Sequence, residues 1–273
     1  MQNVQKIPPL PFRGNKHGFV KLFREVLSQA DNIDTVIDLF GGSGTLSRVA
    51  KDALPNCRVI YNDFDFFTER VANVASTNAL LHSFRPLLAN VPCNKKIPND
   101  IKNAILQMCA NAERKCTVDY ITLSASLLFS GKWVQSLDEL SSQTMYNRIV
   151  KTEYDVTDFL HGLEVTHCDY KELLTEYKGK DNVVFLFDPP YLSTDVGSYS
   201  ESYWKLPDYL DVLSSLKGVR YIYFTSEKSE LEELSDWLDR SFGCSPLKHA
   251  VRYERRAAVN AAASYKDIML VKL

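Results

Sequence analysis

The chain has 273 residues, of which 45% are hydrophobic and 24% are charged, and its formal net charge is −2. An apolar content this high excludes a disordered chain and is enough to bury the core of one large domain, or of one domain with an insert. The small net charge excludes a polycation, so any contact with nucleic acid must use local positive patches.

The N-terminal segment lacks the pattern of a signal peptide, and no apolar run approaches the ~20 residues that cross a bilayer. The six cysteines show no Cys-x-x-Cys spacing, and no His or Cys cluster indicates a metal site. We therefore expect a cytoplasmic protein with reduced thiols and no bound metal.

Short apolar runs rich in β-branched and aromatic residues predict four strands, which are Thr35–Phe40, Arg58–Tyr61, Val183–Phe187 and Arg220–Phe224. Their apolar residues are consecutive, as expected for strands that are covered on both faces. Helical patterns accompany them, including Gly18–Ala30 and Ser229–Arg240, so the sequence predicts an α/β sheet. Leu247–Glu254 and Lys266–Leu273 predict an antiparallel pair that closes one edge of this sheet.

The middle of the chain, from about Phe67 to Leu160, interrupts the alternation of strands and helices. It is polar, helix-like and rich in Asn, Lys and Ser, and it contains no convincing strand pattern. We therefore predict a catalytic domain made of residues 1–66 and 162–273, with a helical insert over residues 67–161.

Glycines follow the first predicted strand, in the segment Asp38-Leu39-Phe40-Gly41-Gly42-Ser43-Gly44-Thr45. Glycines at a strand-to-helix turn let a ligand approach the backbone where side chains would block it. The dinucleotide fingerprint is incomplete, because Ser47 stands where its third glycine would be. S-adenosylmethionine has no phosphate and carries a positive sulfonium, so it suits this acidic turn better than a pyrophosphate does. A plain glycine turn is the alternative.

A carboxylate, Asp63, follows the second predicted strand. At this position a carboxylate can accept two hydrogen bonds from a ribose diol. Together with the glycine turn, Asp63 predicts a nucleoside-binding site at the carboxyl ends of the strands.

The tetrapeptide Asp188-Pro189-Pro190-Tyr191 follows the third predicted strand. An adenine amino group is a poor nucleophile because its lone pair is delocalised into the ring, and two acceptors on its N–H bonds would make the nitrogen more tetrahedral. The Asp188 carboxylate and the Pro189 carbonyl can be these acceptors, and the two prolines hold them in place. Tyr191 offers its ring to a base flipped out of the duplex. The tetrapeptide thus predicts direct in-line methyl transfer without a covalent enzyme intermediate.

These motifs and their order resemble the Dam-like adenine-specific DNA methyltransferases, over about residues 7–66 and 162–273. The resemblance implies a Rossmann-like S-adenosylmethionine-dependent methyltransferase sheet, a target-recognition role for the helical insert, and Asp188–Tyr191 as the catalytic motif. It further implies double-stranded DNA as the partner, a prokaryotic or phage-encoded protein, and action as a monomer. Phe224-Thr225-Ser226 resembles a strand-end motif near the target base, and Arg252–Val271 resembles the family's closing hairpin.

The same resemblance implies residues that bind the cofactor. Phe12-Arg13-Gly14-Asn15-Lys16 is similar to the family's opening segment, although it departs from the pattern at positions 12, 13 and 15; Lys16 would pair with the methionine carboxylate. In Cys168-Asp169-Tyr170, the carboxylate would accept from the cofactor adenine and the ring would pack on it. The predicted set is Phe12, Lys16, Asp38, Phe40, Gly42, Gly44, Asp63, Asp169 and Tyr170.

Basic residues cluster in the insert and near the C-terminal strands, where they would give salt-dependent contacts to DNA phosphates. For each cluster, ordinary solvated charge is the alternative. The predicted DNA-binding residues are Lys132, Arg148, Lys248, Arg252 and Arg255.

The sequence therefore predicts a site-specific DNA adenine methyltransferase, and two rivals stay open. One is a methyltransferase of RNA adenine or of a protein amide, although related enzymes of that kind more often have Asn where Asp188 stands. The other is a DNA-binding relative that has lost activity. The sequence gives neither the recognition site nor a role in restriction-modification, phage protection or regulation.

Overall fold

The computed structural model describes residues 8–12, 14, 16–129, 131–192, 204–258 and 264–273. The chain forms two compact units. The sheet unit comprises Lys16–Asp65 and Leu160–Leu273, and the helical unit comprises Met1–Asn15 and Phe66–Phe159.

The described residues form a sheet of seven strands, which are β1 (Thr35–Asp38), β2 (Arg58–Asn62), β3 (Glu164–Thr166), β4 (Val183–Phe187), β5 (Arg220–Ser226), β6 (Val251–Ala258) and β7 (Ser264–Lys272). Their order across the sheet is β3-β2-β1-β4-β5-β7-β6. The first five in this order run parallel, whereas β7 is antiparallel to both β5 and β6. The predicted α/β sheet with a C-terminal antiparallel hairpin is therefore confirmed.

Ten α-helices occur among the described residues, and they are α1 (Val20–Gln29), α2 (Thr45–Ala53), α3 (Phe67–Ala72), α4 (Val74–Leu87), α5 (Asn99–Glu113), α6 (Tyr120–Leu127), α7 (Leu137–Ser142), α8 (Tyr170–Tyr177), α9 (Leu206–Ser215) and α10 (Leu231–Phe242). A short 3₁₀ helix, His17–Phe19, precedes α1. None of the described helices is both long and apolar enough to cross a membrane.

Burial explains why the inner strands could be recognised from sequence. All five residues of β4 are buried, as are the last six of β5. Their side chains pack with residues of α8 and α9 in the core of the sheet unit. Strands covered on both faces need apolar residues at every position, and this produces the uninterrupted apolar runs of the sequence.

Three differences between the predicted and the observed strands have a clear physical reason. β3 was missed because it has only three residues, of which Glu164 and Val165 are exposed, so it shows no buried pattern. β1 ends at Asp38, before the predicted end at Phe40, because the glycine turn follows. β6 begins at Val251 rather than at Leu247, because the preceding residues form a turn in which His249 has a φ of 68°.

The helical unit has a core of its own, in which side chains of α4, α5 and α6 pack together. Arg70 of α3 connects three parts of the unit, since it donates to the Asp119 carboxylate, the Thr122 hydroxyl and the Pro11 carbonyl. The Asp119 side chain also caps α6 by accepting from the Thr122 backbone N–H. The proposed role of residues 67–161 in target recognition stays a prediction, as do the predicted domain bounds.

The strand order reverses direction between β1 and β4, which places a topological switch point at their carboxyl ends. Asp38 of β1 is in register with Tyr61 of β2 and with Leu186 of β4. The residues that follow these three positions therefore meet at one edge of the sheet, where open α/β sheets bind ligands.

Candidate active site

The glycine turn after β1 is built from backbone hydrogen bonds. The Gly41 N–H donates to the Asn62 carbonyl over 3.2 Å, and the Gly44 N–H donates to the Gly41 carbonyl over 2.7 Å. Gly42 and Gly44 have φ angles of 47° and 68°, in the left-handed region that glycine adopts without strain. Gly44 then caps the N-terminus of α2, so the turn presents backbone rather than side chains at this edge.

Asp38, at the end of β1, has no exposed surface. Its Oδ2 accepts from the Ser47 hydroxyl over 2.7 Å, whereas its Oδ1 has no hydrogen-bond partner among the described residues. Burial raises the pKa of Asp38 to about 7, against the opposing effects of the Ser47 hydrogen bond and the Lys16 charge. A buried carboxylate oxygen without a partner is costly, so this site favours a ligand that brings positive charge or a donor.

Asp63, directly after β2, is also fully buried. Its Oδ1 lies 3.1 Å from the Tyr61 hydroxyl, which also donates to the Gly42 carbonyl over 2.7 Å. Its backbone carbonyl lies 2.8 Å from Nδ1 of His167. Asp63 is thereby fixed beside the glycine turn.

Asn62 connects the end of β2 to the Cys168-Asp169-Tyr170 segment. Its side-chain amide donates to the carbonyls of Leu39 and Cys168, and its Oδ1 accepts from the Cys168 N–H over 3.1 Å. This buried amide therefore holds three of the sequence motifs at one edge of the sheet.

Asp169 and Tyr170 differ in their surroundings. The Asp169 side chain is exposed and caps α8, where it accepts from the Lys171 N–H over 2.8 Å. The Tyr170 ring lies 5.0 Å from the Phe40 ring and 6.3 Å from the Trp204 ring, measured between centroids, and its buried hydroxyl has no hydrogen-bond partner among the described residues. The aromatic cluster of Phe40, Tyr170 and Trp204 forms an apolar wall next to the glycine turn.

The Asp188–Tyr191 turn follows β4. Asp188 is 17% exposed and forms an ion pair with Lys16, in which Nζ and Oδ2 are 2.5 Å apart. The same Lys16 Nζ lies 5.4 Å from the centroid of the Tyr191 ring. Burial raises the pKa of Asp188, while the Lys16 charge and hydrogen bond act against this rise. Pro189 is buried and Pro190 is half-buried, so the turn is packed against the protein.

Lys16 reaches Asp188 because Phe19 anchors the segment that carries it. The Phe19 N–H donates to the Lys16 carbonyl, and the Phe19 ring packs 5.8 Å from the ring of Phe224 on β5. Lys16 was predicted to pair with the methionine carboxylate of the cofactor, whereas here it pairs with a carboxylate of the chain itself.

The remaining predicted site residues are divided between the two units. Phe12 belongs to the helical unit, where its ring packs edge-on against Phe67 at 5.7 Å. Arg13 and Asn15 of the same predicted segment lie outside the described residues. Thr225, at the end of β5, is 1% exposed, and its hydroxyl has no partner among the described residues.

The five predicted DNA-binding residues are all exposed, but they differ in their partners. In the helical unit, Lys132 contacts the Gln143 side chain and Arg148 donates to the Leu128 carbonyl. In the sheet unit, Lys248 is paired with Asp239, and Arg252 is paired with Glu232 and Glu254. These two bring little net positive charge, whereas Arg255 has no ion pair with the described residues. The described part of the chain contains no group of His, Cys, Asp and Glu that could hold a metal ion.

Comparison with families of known proteins finds a match over most of the chain. Residues 12–249 match the model of the D12 class N6 adenine-specific DNA methyltransferases. The chain belongs to this family. The resemblance to Dam-like adenine methyltransferases that the sequence motifs indicated is thereby confirmed.

Two individual proteins are similar to this D12-family methyltransferase. A Haemophilus influenzae protein named "Putative methyltransferase" is 34% identical over 280 residues, which cover 98% of this chain and 92% of that protein. A solved SAM-dependent methyltransferase from Agrobacterium tumefaciens covers 93% of this chain and 60% of its own, at 11% identity and a TM-score of 0.39. A likeness with so low a TM-score supports no conclusion. Membership of the D12 family therefore depends on the family match and on the Haemophilus influenzae relative.

Four residues of this D12-family methyltransferase that shape the site were not singled out from the sequence. Ser47, noted only as a missing third glycine, donates to Asp38. Tyr61 was taken as the last residue of a predicted strand and Asn62 as a residue after it, and neither was given a role; their polar side chains at the end of a buried strand were the available signal. Gly41 was passed over, although an added Cβ would lie 2.3 Å from two ring carbons of Tyr61.

Proposed function

We propose that this methyltransferase transfers a methyl group from S-adenosylmethionine to the N6 amino group of adenine in double-stranded DNA. The observation that carries the proposal is the position of the Asp188–Tyr191 turn. It follows β4, the parallel neighbour of β1, so it lies beside the glycine turn at the switch point of the sheet. A cofactor on the glycine turn and a base on Asp188 would therefore be neighbours.

The residues around the glycine turn fit S-adenosylmethionine. The Oδ1 of Asp38, which has no hydrogen-bond partner in the described part of the chain, can take a positive or donor group, and the buried carboxylate of Asp63 can accept from a ribose diol. The wall of Phe40, Tyr170 and Trp204 offers apolar surface, and the Tyr170 hydroxyl, which bonds to no other described residue, offers one polar group. When bound, S-adenosylmethionine supplies a methyl group on a positively charged sulfur.

Catalysis would depend on the Asp188 carboxylate and the Pro189 carbonyl as acceptors for the two N–H bonds of the adenine amino group. Withdrawing the lone pair from the ring in this way makes the nitrogen a better nucleophile, and the prolines fix both acceptors before the base arrives. With S-adenosylmethionine bound, the nitrogen held by these two acceptors would take the methyl group from the positively charged sulfur, and the proton that it then carries in excess would leave to solvent. No covalent bond to the protein forms.

Lys16 matters to this reaction because its ammonium contacts the two side chains that the base would use. It donates to Asp188 and faces the Tyr191 ring. The amino group of a flipped base would take over the hydrogen bond to Asp188 and the ring would stack on Tyr191. The positive charge of Lys16 also favours the ionised Asp188 that can accept this bond.

For DNA binding, we assign target recognition to the helical unit and phosphate contacts to exposed cations. Lys132, Arg148 and Arg255 are the best candidates, since Lys248 and Arg252 are already paired with carboxylates. We expect a cytoplasmic enzyme of a bacterium or phage, in keeping with the bacterial relative.

The proposal is tested by following tritiated methyl groups from S-adenosylmethionine into DNA, RNA and protein, offered separately. Label should enter DNA alone, and Asp188→Ala should abolish it while binding of S-adenosylhomocysteine stays within about threefold of wild type. Asp181→Ala is the matched control, because Asp181 is exposed and lies just before the opposite end of β4. Label in RNA or protein but not in DNA would refute the proposed substrate. Undiminished transfer by Asp188→Ala would refute the proposed mechanism.

A further inference from the structure

Tyr61 of β2 lies beneath the glycine turn. Its side chain has no exposed surface, although it carries a polar hydroxyl. A Cβ added to Gly41 would lie 2.3 Å from the ring carbons Cδ2 and Cε2, so the backbone of the turn rests directly on this ring. Gly41 is required here by the close approach of the two chains rather than by an unusual backbone angle.

The Tyr61 hydroxyl connects two groups on different segments. It lies 2.7 Å from the Gly42 carbonyl and 3.1 Å from Oδ1 of Asp63. The phenol has one proton, so it donates fully to one of these acceptors at a time, and the shorter distance favours Gly42. A carboxylate accepts several hydrogen bonds, so Asp63 keeps capacity for the hydroxyls of a ligand.

We propose that Tyr61 is a positioning residue for the cofactor, whose hydroxyl fixes the spacing between the glycine turn and the diol-binding Asp63. The inference depends on the proposed S-adenosylmethionine site and deepens it. The ring supports the turn, and the hydroxyl connects the turn to Asp63. Tyr61 itself does not touch the reacting atoms.

This role predicts a selectivity that a merely structural tyrosine would not produce. Without the hydroxyl, Asp63 is held less firmly, so ligands that need Asp63 lose more affinity than ligands that do not. A general loosening of the sheet would instead weaken both kinds of ligand by the same factor.

The experiment is calorimetric titration of the whole protein with S-adenosylhomocysteine and with its 2′,3′-dideoxy analogue, for wild type and Tyr61→Phe. The variant keeps the ring beneath Gly41, and its melting temperature without ligand checks that it folds. We expect the Kd for S-adenosylhomocysteine to rise about five- to twentyfold, as for the loss of one buried hydrogen bond that is shared between two acceptors. The factor by which Tyr61→Phe raises the Kd for the dideoxy analogue should be at least three times smaller.

Tyr221→Phe is the matched control, because Tyr221 is fully buried in the same sheet and its hydroxyl donates to the Pro246 carbonyl instead. It should leave both affinities unchanged. Equal weakening of both ligands by Tyr61→Phe, or no weakening, would overturn the inference while leaving the proposed function intact. Failure of the wild-type protein to bind S-adenosylhomocysteine would instead overturn the proposed function, and this inference with it.

Discussion

Replacing Asp38 by Asn should make the ligand-free protein more stable at neutral and higher pH. The carboxyl is fully buried and its pKa rises from the ordinary 3.8 to about 7. Folding therefore favours the neutral acid. The stability that this group contributes is present below about pH 4 and is lost as the pH rises through 7. Since each pH unit between the two pKa values corresponds to about 1.4 kcal/mol, the loss amounts to roughly 4 kcal/mol as an upper estimate.

An asparagine at this position stays neutral, and its oxygen can still accept from Ser47. Urea unfolding of wild type and Asp38→Asn, at pH 5 and at pH 8, measures the effect, because other titrating groups contribute equally to both proteins. The variant should gain about 2–3 kcal/mol over wild type between the two pH values, because about two of the three pH units that separate the two pKa values lie above pH 5. Asp34→Asn is the control, since Asp34 is exposed and lies four residues earlier.

The same substitution should weaken the binding of S-adenosylmethionine, because the ionised Asp38 would face a positively charged ligand. In the wild-type protein the Kd should therefore fall as the pH rises from 6 to 8, and in Asp38→Asn it should stay flat. The reasoning is refuted if the free energy of unfolding of the two proteins differs by the same amount at pH 5 and pH 8.

Three further changes probe other parts of the site. Gly42→Ala should cost about 1 kcal/mol of stability because Gly42 has a φ of 47°, and calorimetry should show weaker binding of S-adenosylhomocysteine. The control, Gly218→Ala at a φ of 75°, should cost as much stability without affecting binding. Lys16→Met should raise the pKa of Asp188, so the acidic limb of the kcat–pH profile should move to higher pH. A limb that stays at the same pH, at saturating cofactor, would argue against the pairing. Arg255→Ala should lower the salt dependence of DNA binding by a slope of about one, whereas Lys248→Ala should change it little because of its ion pair; equal slopes would contradict this distinction.

The sequence was sufficient for the features that depend on local composition. Continuous apolar runs identified the inner strands, and the residues after them marked the edge of the sheet where we propose that the cofactor binds. β3 could not be predicted from sequence, because it has only three residues and two of them, Glu164 and Val165, are exposed, so it shows no pattern of burial. The start of β6 was misplaced because a turn at His249 interrupts an otherwise strand-like segment.

Contacts between distant residues could not be read from the chain. Lys16 and Asp188 are far apart in sequence, and only the folded sheet unit brings the ammonium onto the carboxylate. Likewise, Arg252 looked available for phosphate until α10 placed Glu232 beside it. A list of basic residues records charge but not which charges are already neutralised.

The polar residues inside β2 show a different limit. Tyr61 fits a buried strand by its ring alone, so nothing in the pattern required its hydroxyl to have a task. Its contacts with Gly42 and Asp63 depend on how closely the glycine turn approaches the Tyr61 side chain, and the sequence does not give this distance. A buried polar side chain beside a motif is therefore a signal that sequence analysis can use, since such groups nearly always have partners.

The most direct test of the central claim is the identity of the methylated base. Duplex DNA incubated with the purified protein and S-adenosylmethionine is digested to nucleosides, which are then separated and identified by mass spectrometry. We predict N6-methyldeoxyadenosine from the wild-type protein and none from Asp188→Ala. Methyl groups found only on cytosine, or no methylated nucleoside at all from a protein that binds S-adenosylmethionine and duplex DNA, would contradict the account.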